Sequence, residues 1–341
     1  MPVKKNIFTS DMPFKNLTIQ KLSSGGLITT YFCPSSCAHC LYRSGPSWPK
    51  EYLNGETAEE IFRCLKKLNC SSIHIGGGEP LFSPGLIIPV LDCAKVNGIS
   101  VEYIETNSSW FKDPQSSSEI IQMLKKHGVH SLLLSVSPFH NEFIPFYKVK
   151  GVIDICHKED VSVLLWKQDF YREIDFLEDN KTHSLEEYCD VYGDDYVELI
   201  PDRYWVSHGG RALETFGKLK RGQSVHSIIN QTLQGCTDLA SVDHFHFDCR
   251  RNFIPGLCAG LSIQIEDLGS PLDCDKYPII TRLYSQGIGG LLWFVMESYG
   301  FEASKPVYYS KCELCNEIRK FLVTEAKICS QELQPSQYYY L

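Results

Sequence analysis

Residues 26–40 read Gly-Leu-Ile-Thr-Thr-Tyr-Phe-Cys-Pro-Ser-Ser-Cys-Ala-His-Cys. The first seven are mostly apolar, β-branched and aromatic, side chains that pack well on a pleated surface, so residues 26–32 predict a strand. Cys33, Cys37 and Cys40 follow at C-x3-C-x2-C spacing within one tight loop. Thiolates are soft ligands suited to iron–sulfur clusters and zinc. An ordinary electron-transfer cluster has four protein thiolates, whereas three from one loop hold three irons of a cubane and leave the fourth open. A structural zinc would need a further ligand, for which His39 and His74 are candidates.

Outward from this loop, strand-like and helix-like runs alternate. Residues 57–68 predict a helix, with Thr57 and Glu60 spaced as a capping box. Residues 72–75 predict a second strand that ends in glycines, 86–96 a helix and 100–105 a third strand. Residues 118–127 are amphipathic and stopped by Gly128; 131–136, 161–166 and 197–201 predict the fourth, fifth and sixth strands, with a helical stretch in 145–157. Such alternation implies right-handed βαβ units and a parallel sheet. Six units are fewer than the eight of a closed barrel. The expected fold is therefore α/β: a partial (β/α)6 TIM-like barrel over residues 20–225, preceded by an extension (1–19) and followed by a small Cys-rich α+β domain (226–341). In a parallel sheet, chemistry gathers at the C-terminal strand ends.

Composition narrows the function classes. The 341 residues are 43% hydrophobic and 22% charged, ordinary globular usage, and the net charge of −8 argues against a nucleic-acid backbone as main partner. Lys218, Lys220 and Arg221 form one short basic run that reads as a solvated loop. No apolar run approaches membrane-spanning length, so no membrane partner is expected, and residues 1–19 lack the apolar stretch of a secretory signal. The expected compartment is the reducing cytoplasm, where clustered cysteines among the fifteen present read as metal ligands before disulfides.

Ile75-Gly76-Gly77-Gly78-Glu79-Pro80 closes the second strand, and bare glycine backbone lets carbonyls approach a ligand closely. Together with the cysteine loop, this strip resembles the signature of the radical S-adenosylmethionine (radical SAM) superfamily. The resemblance implies a 4Fe-4S cluster on Cys33, Cys37 and Cys40, with S-adenosylmethionine chelating the open iron. Reductive cleavage would give a 5′-deoxyadenosyl radical that abstracts hydrogen from a peptide or protein side chain or a small metabolite. A one-electron donor such as flavodoxin or ferredoxin is then an implied partner. Carried onto this chain, the cofactor-binding residues are His39 beside the adenine, Gly76, Gly77, Gly78 and Glu79 in the strip, and Glu105, Asn107, Ser135 and Ser137 at the ends of strands three and four. The competing reading is a non-catalytic iron–sulfur or zinc-binding redox protein, which predicts a filled fourth position on the first cluster.

Past residue 225, Cys312 and Cys315 form a C-x2-C knuckle, a standard half-site for zinc or an iron–sulfur cluster. Cys236 and Cys258 are the expected other half, with Cys249 competing for the place of Cys236. Residues 244–252, opening His-Phe-His-Phe, read as a β-hairpin. This part is similar to a shortened auxiliary-cluster domain of radical SAM enzymes, and Gly209-Gly210-Arg211-Ala212 also looks like a segment frequent in them. A zinc knuckle on the same four cysteines stays open. Cys64, Cys70, Cys93, Cys156 and Cys189 read as packing residues. His140, Tyr204 and His208 are candidates to meet substrate.

Overall fold

The computed structural model describes residues 15–218, 222–232 and 234–341. Most of the 1–19 extension, and Lys220 and Arg221 of the basic run, lie outside the described residues. The first strand, β1, is Gly25–Ile28. Then come α1 (Gly55–Lys67), β2 (Ser72–Gly76), α2 (Ile88–Asn97), β3 (Ser100–Thr106), α3 (Pro114–Lys126), β4 (Ser131–Leu134), the short α4 (Pro138–Asn141), α5 (Phe146–Lys158) and β5 (Ser162–Leu165). Strands β1 to β5 pair in parallel, each beside the next. The expected βαβ order therefore holds from the first strand to the fifth.

Helix starts differ from their sequence reading. The cap of α1 is Asn54, whose side chain accepts from the Thr57 N–H at 2.9 Å, so Thr57 lies inside the helix rather than capping it. Asp113 caps α3 in the same way, with Pro114 next, and the helix begins four residues before the amphipathic run suggested.

The larger difference is at the sixth strand. Residues 197–201 fall in a helix, the third of α6 (Gln168–Asp175), α7 (Leu185–Tyr192) and α8 (Tyr196–Arg203). Tyr196 and Ile200 are its buried residues, one helical turn apart. A short apolar run does not by itself distinguish strand from helix. After α9 (Ala212–Gly217), β6 (Gln223–Ser224) and α10 (Val225–Gln231), the sixth parallel strand arrives as β7 (Phe245–Asp248). It docks on the free side of β1, with Gly26 level with His246 there and with His74 on β2. The antiparallel strands β8 (Asn252–Ile254) and β9 (Ile263–Gln264) extend the same sheet, which runs β5-β4-β3-β2-β1-β7-β8-β9.

The expected hairpin is therefore present, and its alternation has two faces. Phe245, Phe247 and Phe253 are fully buried and pack ring against ring, 5.3 to 5.9 Å apart. His244 and His246 take the opposite face, as the period of two requires. Thus the cysteine-rich part contributes three strands to the main sheet. The chain closes with the long α11 (Pro278–Tyr299), β10 (Val307–Tyr308) and α12 (Lys311–Thr324). Among the described residues no helix is long and apolar enough to cross a membrane.

Candidate functional site

The sheet wraps a cavity of about 300 Å³ whose walls come from β1, β2, β3, β4 and β7 and from the loops at their ends. Cys33, Cys37 and Cys40 line it together, as do His39, Gly76, Gly77, Gly78, Glu105, Asn107, Ser135 and His140. Two of the anticipated residues are absent from its lining: Glu79 and Ser137.

Glu79 is fully buried behind the wall. Its carboxylate accepts from the Leu81 N–H at 2.9 Å, the Thr106 hydroxyl at 2.7 Å and the Asn107 N–H at 2.8 Å. It ties the glycine strip to the end of β3. Burial pushes its carboxyl up to about 7, against the pull of these donors. Asn107, fixed this way, donates its side-chain amide to the Cys33 sulfur at 3.4 Å, and the Ser35 N–H donates to the same sulfur at 3.4 Å. Ser137 sits at the start of α4, where its hydroxyl pairs with His140 Nδ1 at 2.7 Å; it orients a lining residue and is not one itself.

The glycine strip has a different reason from the one the sequence suggested. Gly77 has φ +138, and a Cβ there would lie 2.6 Å from the Thr30 carbonyl oxygen; a Cβ on Gly78 would overlap the Phe32 carbonyl. The close partner is the strand-one extension that carries the cysteines. The Gly78 N–H donates to Thr30 O at 2.6 Å and the Glu79 N–H to Phe32 O at 2.9 Å. Gly76 alone has ordinary room, with a Cβ meeting Glu105 Oε2 at 3.6 Å. Glu105 faces the cavity and accepts from the Ser135 hydroxyl at 3.3 Å; burial raises its carboxyl.

His39 stacks on Phe139 (4.7 Å between ring centres) and lies tilted to Trp166 (5.4 Å) and edge-on to His140 (4.9 Å). Burial, then neighbouring His140, holds its imidazole well below its usual range, so the ring is neutral at pH 7. Its Nδ1 is buried with no hydrogen-bond partner.

One positioning residue was missed by sequence reasoning, although its segment was marked. The Arg211 guanidinium donates to the carbonyls of Cys37 (2.8 Å) and Ser44 (2.6 Å), and its backbone N–H donates to Cys40 O at 3.0 Å. Gly210, at φ +57, brings this backbone against the cysteine loop, where a Cβ would overlap Cys40 O. The clasp is 171 residues from Cys40 in sequence (211 − 40), beyond any local signal. Tyr204 and His208 are not in the cavity lining, whereas Trp205, Val206 and Ser207 are.

A second, smaller cavity of about 80 Å³ gathers Cys236, Cys258, Cys312 and Cys315. Cys236 is held by its N–H to Leu283 O of α11 at 2.7 Å; Cys258 sits in the turn after β8; Cys312 and Cys315 occupy the first turns of α12. Cys249 does not line this cavity; it is buried in the β7–β8 turn beside Asp248. The Lys311 ammonium lies 3.8 Å from the Cys236 sulfur, and Arg319 also lines the cavity. Burial pushes the thiols of Cys33 and Cys312 up to about 12 and that of Cys236 up to about 11, so taking up a metal there must displace protons. Among the described residues no three His, Cys, Asp or Glu side chains converge tightly enough for a single metal ion, so both cysteine sets are open arrangements. Soft donors set around a cavity, two sulfurs of them facing cations or N–H donors, fit a multi-iron cluster at each place.

Known proteins resemble parts of this chain. Residues 27–163 match the family model of the radical SAM superfamily. A curated protein of Methanocaldococcus jannaschii, named as a glycyl-radical enzyme activating enzyme, is 26% identical over 151 residues. The match covers 41% of this chain and 59% of that protein, so the chain spans little more than half of its relative's length. Similar solved structures include Streptococcus suis SuiB bound to S-adenosylmethionine (15% identity, TM-score 0.35, 71% of this chain and 61% of that one). BtrN in complex with AdoMet and 2-DOIA is another (14% identity, TM-score 0.44, 79% and 89%). The cysteine loop and the glycine strip both lie inside the segment that matches the radical SAM superfamily.

Proposed function

We propose that this protein reductively cleaves S-adenosylmethionine and directs the resulting radical at a carbon of a peptide or protein side chain or a small metabolite. The observation that carries this reading is that Cys33, Cys37 and Cys40 line one cavity with the glycine strip and the polar ends of β3 and β4. A 4Fe-4S cluster on the three thiolates would supply the electron that splits the cofactor's sulfonium. The chain's own residues do the rest. Arg211 and Gly210 brace the loop; Asn107 and the Ser35 N–H hold the Cys33 sulfur; Glu105 and Ser135 offer hydrogen bonds to a diol or carboxylate; His39 offers a neutral ring face beside Trp166.

Cys236, Cys258, Cys312 and Cys315 are the proposed ligands of a second cluster, supported by their shared cavity. Cytoplasmic residence and a flavodoxin or ferredoxin donor are part of the same proposal. The test is anaerobic reconstitution, addition of dithionite and S-adenosylmethionine, and assay for 5′-deoxyadenosine. Wild-type protein is expected to make it and Cys37→Ala to make none. Equal product from the variant would overturn the assignment, and no product from a fully iron-loaded wild type would favour the non-catalytic redox reading.

A further inference from the structure

Three imidazoles from two strands meet on the cavity wall: His74 on β2, His246 on β7 and His244 just before it. Gly26 stands between the first two in the sheet, and a Cβ there would overlap His74 Nε2, so the bare backbone of β1 makes room for the pair. Their Nε2 atoms are 3.1 Å apart. Two imidazole nitrogens so close share either a proton or a metal. With metal–nitrogen bonds of about 2.1 Å, that separation subtends about 95° at a common ion, near the tetrahedral range.

The rest of the arrangement suits an ion. The ring centres of His74 and His246 are 5.1 Å apart, those of His244 and His246 5.8 Å and those of His74 and His244 6.3 Å. Rings bound to one tetrahedral ion stand roughly 5 Å apart by the same bond lengths. His246 turns its other nitrogen to the Tyr42 hydroxyl at 2.9 Å. Ligating histidines ordinarily have such partners, which fix the ring and its tautomer. His244 is exposed; as the rings stand the three do not converge on one point, and binding one ion requires His244 to turn about its own side-chain bonds.

We propose that His74, His246 and His244 form a binding site for a divalent transition-metal ion, zinc in the first instance, with an open position toward the cavity. Three imidazoles and an open position are the donor set of a Lewis-acid site, suited to a carbonyl or hydroxyl oxygen. The site uses none of the cysteine sulfurs, although it lines the same cavity as Cys33, Cys37 and Cys40, and it does not depend on the radical reading.

The test uses anaerobically purified protein whose cysteine sites have been filled by reconstitution with iron and sulfide. Calorimetric titration with Zn²⁺ should show one equivalent bound. His74→Ala and His246→Ala should each weaken it at least tenfold, and His244→Ala should weaken it less. Zinc K-edge absorption of the loaded wild type should show nitrogen and oxygen neighbours only. Absence of uptake means that the pair shares a proton and overturns the proposal. So does sulfur in the zinc shell, or affinity unchanged in His74→Ala and His246→Ala. The absorption measurement needs no variant, so the proposal stays testable even if the substitutions fail to fold.

Discussion

A Cβ on Gly78 would overlap the carbonyl oxygen of Phe32, the residue just before the first of the three loop cysteines. The strip that ends β2 and the extension that ends β1 are therefore in backbone contact, held by Gly78 N–H to Thr30 O and Glu79 N–H to Phe32 O. Gly78→Ala is expected to cost about 3 kcal/mol of stability through this overlap, and to lose iron from the loop. Gly76→Ala, whose Cβ would have an ordinary 3.6 Å contact with Glu105, should keep both fold and iron while weakening S-adenosylmethionine binding. Melting curves, iron content and cofactor affinity for the two variants check this, and a wild-type melting curve for Gly78→Ala would refute it.

Arg211 makes two side-chain hydrogen bonds to carbonyls of the cysteine loop. Removing a charged donor from partly buried carbonyls typically costs about 2 kcal/mol. Arg211→Met should loosen the loop, lowering iron at the first site while leaving the second unchanged. Arg211→Lys should recover little, because one ammonium does not reproduce a planar fork reaching in two directions. Site-resolved iron loss by Mössbauer or paramagnetic resonance is the measurement, and equal loss at both sites would count against it.

The four cysteines of the second cavity lie up to 79 residues apart (315 − 236). A cluster on them would tie the hairpin end of the sheet to α12, so its binding energy would be folding energy. Cys312→Ala/Cys315→Ala should drop iron from about eight to about four per chain, at about four per cubane, and lower the melting temperature. Four irons and one zinc in the wild type would instead mean a zinc knuckle.

Glu332 is buried against the start of α11, accepting from the N–H groups of Ile279 (2.9 Å) and Ile280 (2.8 Å). Burial raises its carboxyl from 4.5 to about 7, which outweighs those donors. A carboxyl whose value is raised in the fold favours the native state while protonated, and that advantage is lost as pH rises from about 4.5 through about 7. Glu332→Gln should therefore gain stability relative to wild type across that window, by up to about 3 kcal/mol. Melting temperatures of both proteins at pH 5 and pH 8 test it; a gap that shrinks with rising pH would reverse the sign.

Local chemistry made much of this protein legible from its sequence. Thiols at C-x3-C-x2-C spacing must share one loop, the glycine strip ends a strand, and the alternation of runs over residues 26–166 encodes five parallel strands joined by four βαβ steps. The set of Cys236, Cys258, Cys312 and Cys315 could also be named, because soft ligands cluster by residue type.

Tertiary structure decided what depends on partners distant in the chain. Tyr196 to Arg203 could have been strand or helix, since a short apolar run carries no period long enough to choose; packing made it a helix and gave its place beside β1 to β7. The glycines proved to be a requirement of Thr30 and Phe32 backbone, Glu79 a brace and Arg211 a clasp. Each role is a contact across tens to hundreds of residues, which no local pattern encodes. The meeting of His74 with His246 across Gly26 is of the same kind: strand register, set by the whole sheet, brings together side chains that are 172 residues apart.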